Sequence, residues 1–103
     1  MAEAADFTWP GRRPGYPAHD VIMDFLGADI QVNPAAAAAL VARIEAIERG
    51  SEAEWRRIGN LYDLHLSAER ARIVNIYEED RSSEASFHDF AVAARAWRDY
   101  VGR

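Results

Sequence analysis

The stretch NLYDLHLSAERARIVNIYEED, residues 60–80, decides how this chain folds. Apolar residues alternate with polar ones on either side of a short polar segment, the period of two expected of half-buried strands. The pattern predicts two strands, residues 60–66 and 72–77, paired antiparallel with Ala68, Glu69 and Arg70 in the turn. In that register Tyr62, Leu64 and Leu66 share an apolar face with Val74 and Ile76. Leu61, Asp63, His65, Ile73, Asn75 and Tyr77 share the other face, with Asp63 opposite Asn75 and His65 diagonal to it. An apolar sheet face needs a cover, and the flanking segments offer one.

Upstream, Asn33 followed by Pro34 is a helix-start signal, and Leu40, Val41, Ile44 and Ile47 form one stripe that ends at Gly50. Downstream, Ser86 caps a last helix whose stripe is Phe87, Phe90, Ala94, Trp97 and Val101. The two helices are expected over residues 34–49 and 86–101. Ser51 with Glu54 reads as a capping box opening a short turn that carries Trp55. DVIMDFLGADIQV, residues 20–32, begins with β-formers and alternates loosely, which predicts a further strand broken near Gly27. The expected fold is α+β in two layers, a small antiparallel sheet of about three strands covered on one face by two helices. Leu40, Ile44, Ile47, Leu64, Val74, Phe90 and Trp97 are the expected core. Residues 1–18, with three of the four prolines and Trp9 and Tyr16 among them, read as an extended arm ahead of a single domain over 19–103.

At 103 residues the chain has room for one core, since a domain this size buries roughly 60–68 % of its unfolded surface. Half of its residues are hydrophobic, enough to form that core. It has no cysteine, which excludes disulfides and thiolate chemistry, and its basic residues are all arginine, which excludes lysine Schiff bases and the P-loop lysine. A net charge of −5 repels phosphate backbones, so no nucleic acid is expected as partner. No apolar run is long enough for a signal peptide or a membrane span, so the expected location is the cytoplasm, without a membrane partner.

The candidate chemistry is sparse. His19, His65 and His88 match no metal-ligand spacing, no glycine-flanked serine elbow is present, and neither metal nor cofactor is expected. Asp63, His65, Asn75 and Tyr77 are the best constellation, but general acid–base work needs a pocket and a bare sheet face is not one. They read as a partner-binding surface, joined by the acidic run Glu78, Glu79, Asp80 and by Trp55, a tryptophan among charges of the kind that anchors interfaces.

GSEAEWRRIGNLYDLHL (50–66), Asn75 and DFAVAARAWRDYV (89–101), with AHDVIMDFLGADIQVN (18–33), resemble the YacL-like family of small bacterial proteins. The shared positions are Gly50, Ser51, Glu52, Trp55, Arg57, Gly59, Tyr62 and Leu64, then Asp89, Phe90, Arg98 and Val101, and the resemblance spans residues 18–102. It implies a fold and supplies no catalytic residues, the family being functionally uncharacterised. The expectation is therefore a small acidic non-enzymatic protein that binds another protein. An immunity protein or antitoxin masking a basic toxin is its most concrete form. The alternatives are a homodimeric housekeeping protein and a small enzyme using His65 and Asp63.

Overall fold

The computed structural model describes residues 7–103. Among these, helix α1 spans Pro17–Phe25 and runs into a π-helical turn, Leu26–Ile30. Helix α2 (Pro34–Glu48) follows, then strands β1 (Glu54–Ile58), β2 (Tyr62–Ser67) and β3 (Arg70–Asn75), a 3-10 turn (Glu79–Arg81), strand β4 (Ser83–Ser86) and helix α3 (Phe87–Val101). The strands form one antiparallel meander in the order β1-β2-β3-β4. The α+β, two-layer reading holds, with one strand and one helix more than the expected counts.

Both expected helices are present with their caps. Asn33 Oδ1 accepts from Ala36 N (3.1 Å), and Ser86 Oγ accepts from Asp89 N (3.0 Å). The stripes of α2 and α3 pack on each other, and Arg95 of α3 reaches Glu48 of α2 with both terminal guanidinium nitrogens, Nη1 and Nη2.

Residues 20–32, expected as a strand, are helical instead as far as Ile30. Pro17 presets the first turn, and the buried residues Ala18, Ile22, Phe25, Leu26, Asp29 and Ile30 fall three or four apart, the helical period rather than two. Val21 and Met23, which suggested alternation, are only half-buried. Gln31 N closes the π turn on Leu26 O at 2.7 Å. The predicted capping box is also absent. Gly50, at φ +77°, reverses the chain after α2, so Ser51 Oγ folds back to donate to Ala46 O (3.0 Å) and Glu54 opens β1.

The hairpin forms, but in a different register. Ala68 and Glu69 alone make the loop, one residue shorter than expected, and Tyr62 rather than Asp63 stands opposite Asn75. A slip of one residue turns a strand over. Ala71, Ile73 and Asn75 therefore face the helices beside Tyr62, Leu64 and Leu66, while Val74 lies half-buried on the opposite face. The other six expected core residues, Leu40, Ile44, Ile47, Leu64, Phe90 and Trp97, do pack together.

The first six residues of the predicted arm lie outside the described residues. From Phe7 onward the arm joins the core: Phe7 meets Trp97 edge-on at 4.8 Å, and Trp9 is 4 % exposed. Buried His19 fastens it, its Nδ1 accepting from Arg13 N at 2.9 Å.

Candidate functional site

Because the helices occupy one side of the sheet, the other side is open. The register sets its side chains in rows. One row runs Glu54, Ser67, Arg70, Ser86 and the next Arg56, His65, Arg72, Glu84; a third contains Ile58, Asp63 and Val74. Along the first two rows lies a concavity of about 600 Å³ lined by Arg56, His65, Arg70, Arg72 and Glu84 among others. Arg72 and Glu84 also line a smaller hollow of about 190 Å³ beside Val74.

The charges on this face are largely spoken for. Arg56 donates to both oxygens of Asp63 (2.9 and 2.7 Å), and His65 Nε2 lies 3.3 Å from Asp63 Oδ1. Glu84 stands across from Arg72 but pairs with Arg70 at 3.2 Å. Among the described residues, Arg72 is left without a carboxylate. The hydrogen bonds from Arg56 hold the Asp63 carboxyl below the usual carboxylate range, against the opposing effect of burial. A depressed carboxylate stabilises the fold above its unfolded value, about 4, and that contribution disappears as pH falls through the folded value. Thermal melts of wild type and Asp63→Asn are accordingly expected to differ most near neutrality and to converge in acid; a gap that widens toward low pH contradicts this assignment.

The expected constellation is only partly assembled. Asp63 and His65 are on the open face. Asn75 is not: it is 6 % exposed on the helix side, where its Oδ1 accepts from Tyr77 N (2.9 Å) and Glu78 N (2.8 Å) and so shapes the turn after β3. Tyr77 lies beyond the strand and is 75 % exposed. Glu78 pairs with Arg81 (3.3 Å), and Glu79 and Asp80 are exposed in the 3-10 turn. Trp55 is half-buried on the helix side, with the Arg43 guanidinium 5.7 Å from its ring centroid. The sequence reading missed Arg56, Arg70, Arg72, Ile58 and Glu84. Arg72 was the available signal, because the expected register would have turned it into the core beside Val74.

A second cluster positions the sheet. Asp29, its side chain fully buried, accepts from Leu61 N (2.9 Å) and Tyr62 N (3.1 Å) and lies 3.7 Å from Arg57 Nη1. Next to it, the Tyr62 hydroxyl donates to Asp24, and burial first, then this bond, pushes the phenol up to about 12. Both interactions serve to pin the β1–β2 turn to α1 and the π turn.

Among the described residues no group of three His, Asp or Glu side chains could hold a metal ion, and no helix is long and apolar enough to cross a membrane. Residues 17–91, from the first residue of α1 into α3, match an uncharacterised protein family, UPF0231. A UPF0231 protein of Shewanella amazonensis is 25 % identical over 99 residues, covering 81 % of this chain and 80 % of that protein. No solved structure matches. These findings bear out the YacL-like resemblance, and because the match takes in the whole sheet and most of the helical layer, the chain belongs to the uncharacterised protein family UPF0231.

Proposed function

We propose that the protein acts by binding another protein through the open face of its sheet, and that it does so without catalysing a reaction. The observation that carries this is the exposure of large apolar side chains on and beside an uncovered sheet. Ile58 is 64 % exposed, at the β1 end of the row that runs through Asp63 to the half-buried Val74, and Ile76, two residues beyond Val74, is 45 % exposed; the unpaired Arg72 precedes Val74 on the same face. Apolar area rimmed by polar groups marks interaction sites, and an uncompensated arginine is a frequent anchor. Asp63 argues against catalysis, since a carboxylate held by two hydrogen bonds from Arg56 is a poor general base.

Charge narrows the partner. Arg56, Arg70 and Arg72 balance Glu54, Asp63 and Glu84 on this face, so it suits a surface of mixed sign with a carboxylate for Arg72. A basic toxin, the most concrete form of the reading, would engage the acidic run Glu78, Glu79 and Asp80 at the end of the sheet.

The test pairs Arg72→Glu and Ile58→Asp in one variant. Both positions are exposed, so stability is expected to hold within about 0.5 kcal/mol for each. Partners that co-purify with wild type from the native cell, quantified by mass spectrometry, are expected to be depleted about tenfold or more with the variant, the loss of one charged anchor. Equal recovery by the two proteins rejects the open face as the binding surface.

A further inference from the structure

The edge of the sheet at β1 is bare in a specific way. Gly59 N donates to Tyr62 O (2.9 Å), and Ile76 N donates to Leu61 O (2.8 Å). In an antiparallel ladder the residues that bond a given neighbour alternate. With Arg57 opposite Leu64 and Trp55 opposite Leu66, the first bond means that Trp55, Arg57 and Gly59 turn their N–H and C=O toward β2. The second bond agrees, since it assigns Leu61, Asp63 and His65 to β3 and leaves Tyr62, Leu64 and Leu66 for β1. The backbone groups of Glu54, Arg56 and Ile58 therefore point away from the sheet, and none of them meets a protein partner among the described residues.

Natural edges are usually protected by proline, a bulge, free charge or a covering element. The opposite edge, β4, has α1 packed beside it, whereas among the described residues β2 is the element that pairs along β1 and its other edge has no strand partner. β1 pairs without a bulge over five consecutive residues and contains no proline. Its two arginines do not guard it with free charge, because Arg56 is held by Asp63 and Arg57 lies beside Asp29, and the one charge of the strand without an ion pair among the described residues is Glu54, at its first residue.

We infer that β1 pairs antiparallel with β1 of a second copy of this chain, joining the two sheets edge to edge around a two-fold axis. Sequence selects the register. To keep the two sheet faces continuous, the axis must pass by Trp55, Arg56 or Arg57. An axis at Arg56 sets Arg56 against its own copy, and one at Arg57 does the same for Arg57; like charges directly opposed are unfavourable. An axis at Trp55 sets Glu54 against Arg56 of the other copy, twice. Glu54 has no ion pair among the described residues, so its carboxylate is free to take that position. Glu54 and Arg56 are also the residues whose backbone groups face outward, and they exchange four hydrogen bonds by symmetry, while Trp55 meets Trp55 at the close, unbonded position. The contact uses the edge and leaves the open faces side by side, so it stands apart from the proposed function above.

The experiment is sedimentation equilibrium on the full chain over a concentration series, with amide exchange measured at Glu54, Arg56 and Ile58. Wild type is expected to show a monomer–dimer equilibrium, with the Arg56 amide protected in step with the dimer fraction. Glu54→Pro removes an outward donor at the first strand residue and leaves the β1–β2 ladder intact; it is expected to weaken association about tenfold or more. Glu54→Arg, which opposes two arginines, is expected to do the same, and it decides the matter if the proline variant melts early. A wild type that stays monomeric throughout, or a dimer indifferent to Glu54→Arg, overturns the inference.

Discussion

Asp29→Ala is expected to destabilise the protein by about 3–5 kcal/mol, the scale on which removing one partner from a buried charge cluster acts. That is a large share of the roughly 5–15 kcal/mol that holds a domain of this kind together. Asp29 has no exposed side-chain surface, and its two oxygens accept from Leu61 N and Tyr62 N while Arg57 Nη2 donates to its carbonyl at 3.3 Å. Without the carboxylate, the buried Tyr62 N–H loses its acceptor and the half-buried Arg57 loses its counter-charge. Gly59 belongs to the same device. A Cβ there would sit 2.3 Å from both Arg57 Nη1 and Asp29 Oδ2, so Gly59→Ala is expected to force the pair apart and cost about 1–3 kcal/mol. The two costs share a cause. The double variant should therefore lose clearly less than the sum of the single losses, because removing Asp29 makes room for the methyl group. Urea unfolding of the three variants checks this; a loss under about 1 kcal/mol for Asp29→Ala would mean the amides find water instead.

What could be read in advance follows from the range of the interactions involved. Helices α2 and α3 announce themselves locally, through Asn33 and Ser86 bonding three residues ahead and through apolar stripes a few residues long. The hairpin announces its existence but not its register, because an Ala68-Glu69 loop has none of the glycine or asparagine that marks a two-residue turn. That single missing residue placed Val74 in the core and Asn75 on the surface, and the structure has them the other way round. Helix α1 was misread for a related reason: β-branched Val21 and Ile22 suggested a strand, and tertiary packing on a spacing of three to four residues overrode them. Strand β1 was illegible because EWRRI does not alternate in polarity. Its inward-facing Arg57 is tolerated only beside Asp29, 28 residues upstream, and no local pattern encodes that pairing. The candidate site inherits the same division, with Asp63 and His65 recognised from β2 and Arg72 lost with the register of β3.

The second large effect concerns Trp97, where the arm, α3 and the segment after the π turn meet. Trp97 is 1 % exposed, meets Phe7 edge-on at 4.8 Å and Tyr100 at 5.4 Å, and donates from Nε1 to Gln31 O at 2.9 Å. Trp97→Ala is expected to cost about 3–5 kcal/mol, from lost burial and from the cavity left behind. The hydrogen bond adds a local consequence. Gln31 has φ +63° and ψ −172°, a region that favours glycine and costs other residues on the order of 1–3 kcal/mol. The indole N–H helps hold it there. Trp97→Phe keeps most of the apolar contact and removes this donor, so it is expected to lose about half as much as alanine, with the loss concentrated around Gln31. Adding Gln31→Gly to Trp97→Phe should then recover about 1 kcal/mol by relieving the backbone. Hydrogen exchange is expected to report the same order of events, since the described arm from Phe7 and residues 26–32 should lose protection before the sheet does. If Trp97→Phe and Trp97→Ala unfold at the same urea midpoint, or if Gln31→Gly only weakens the protein further, the contact between Trp97 and Gln31 does not restrain this segment.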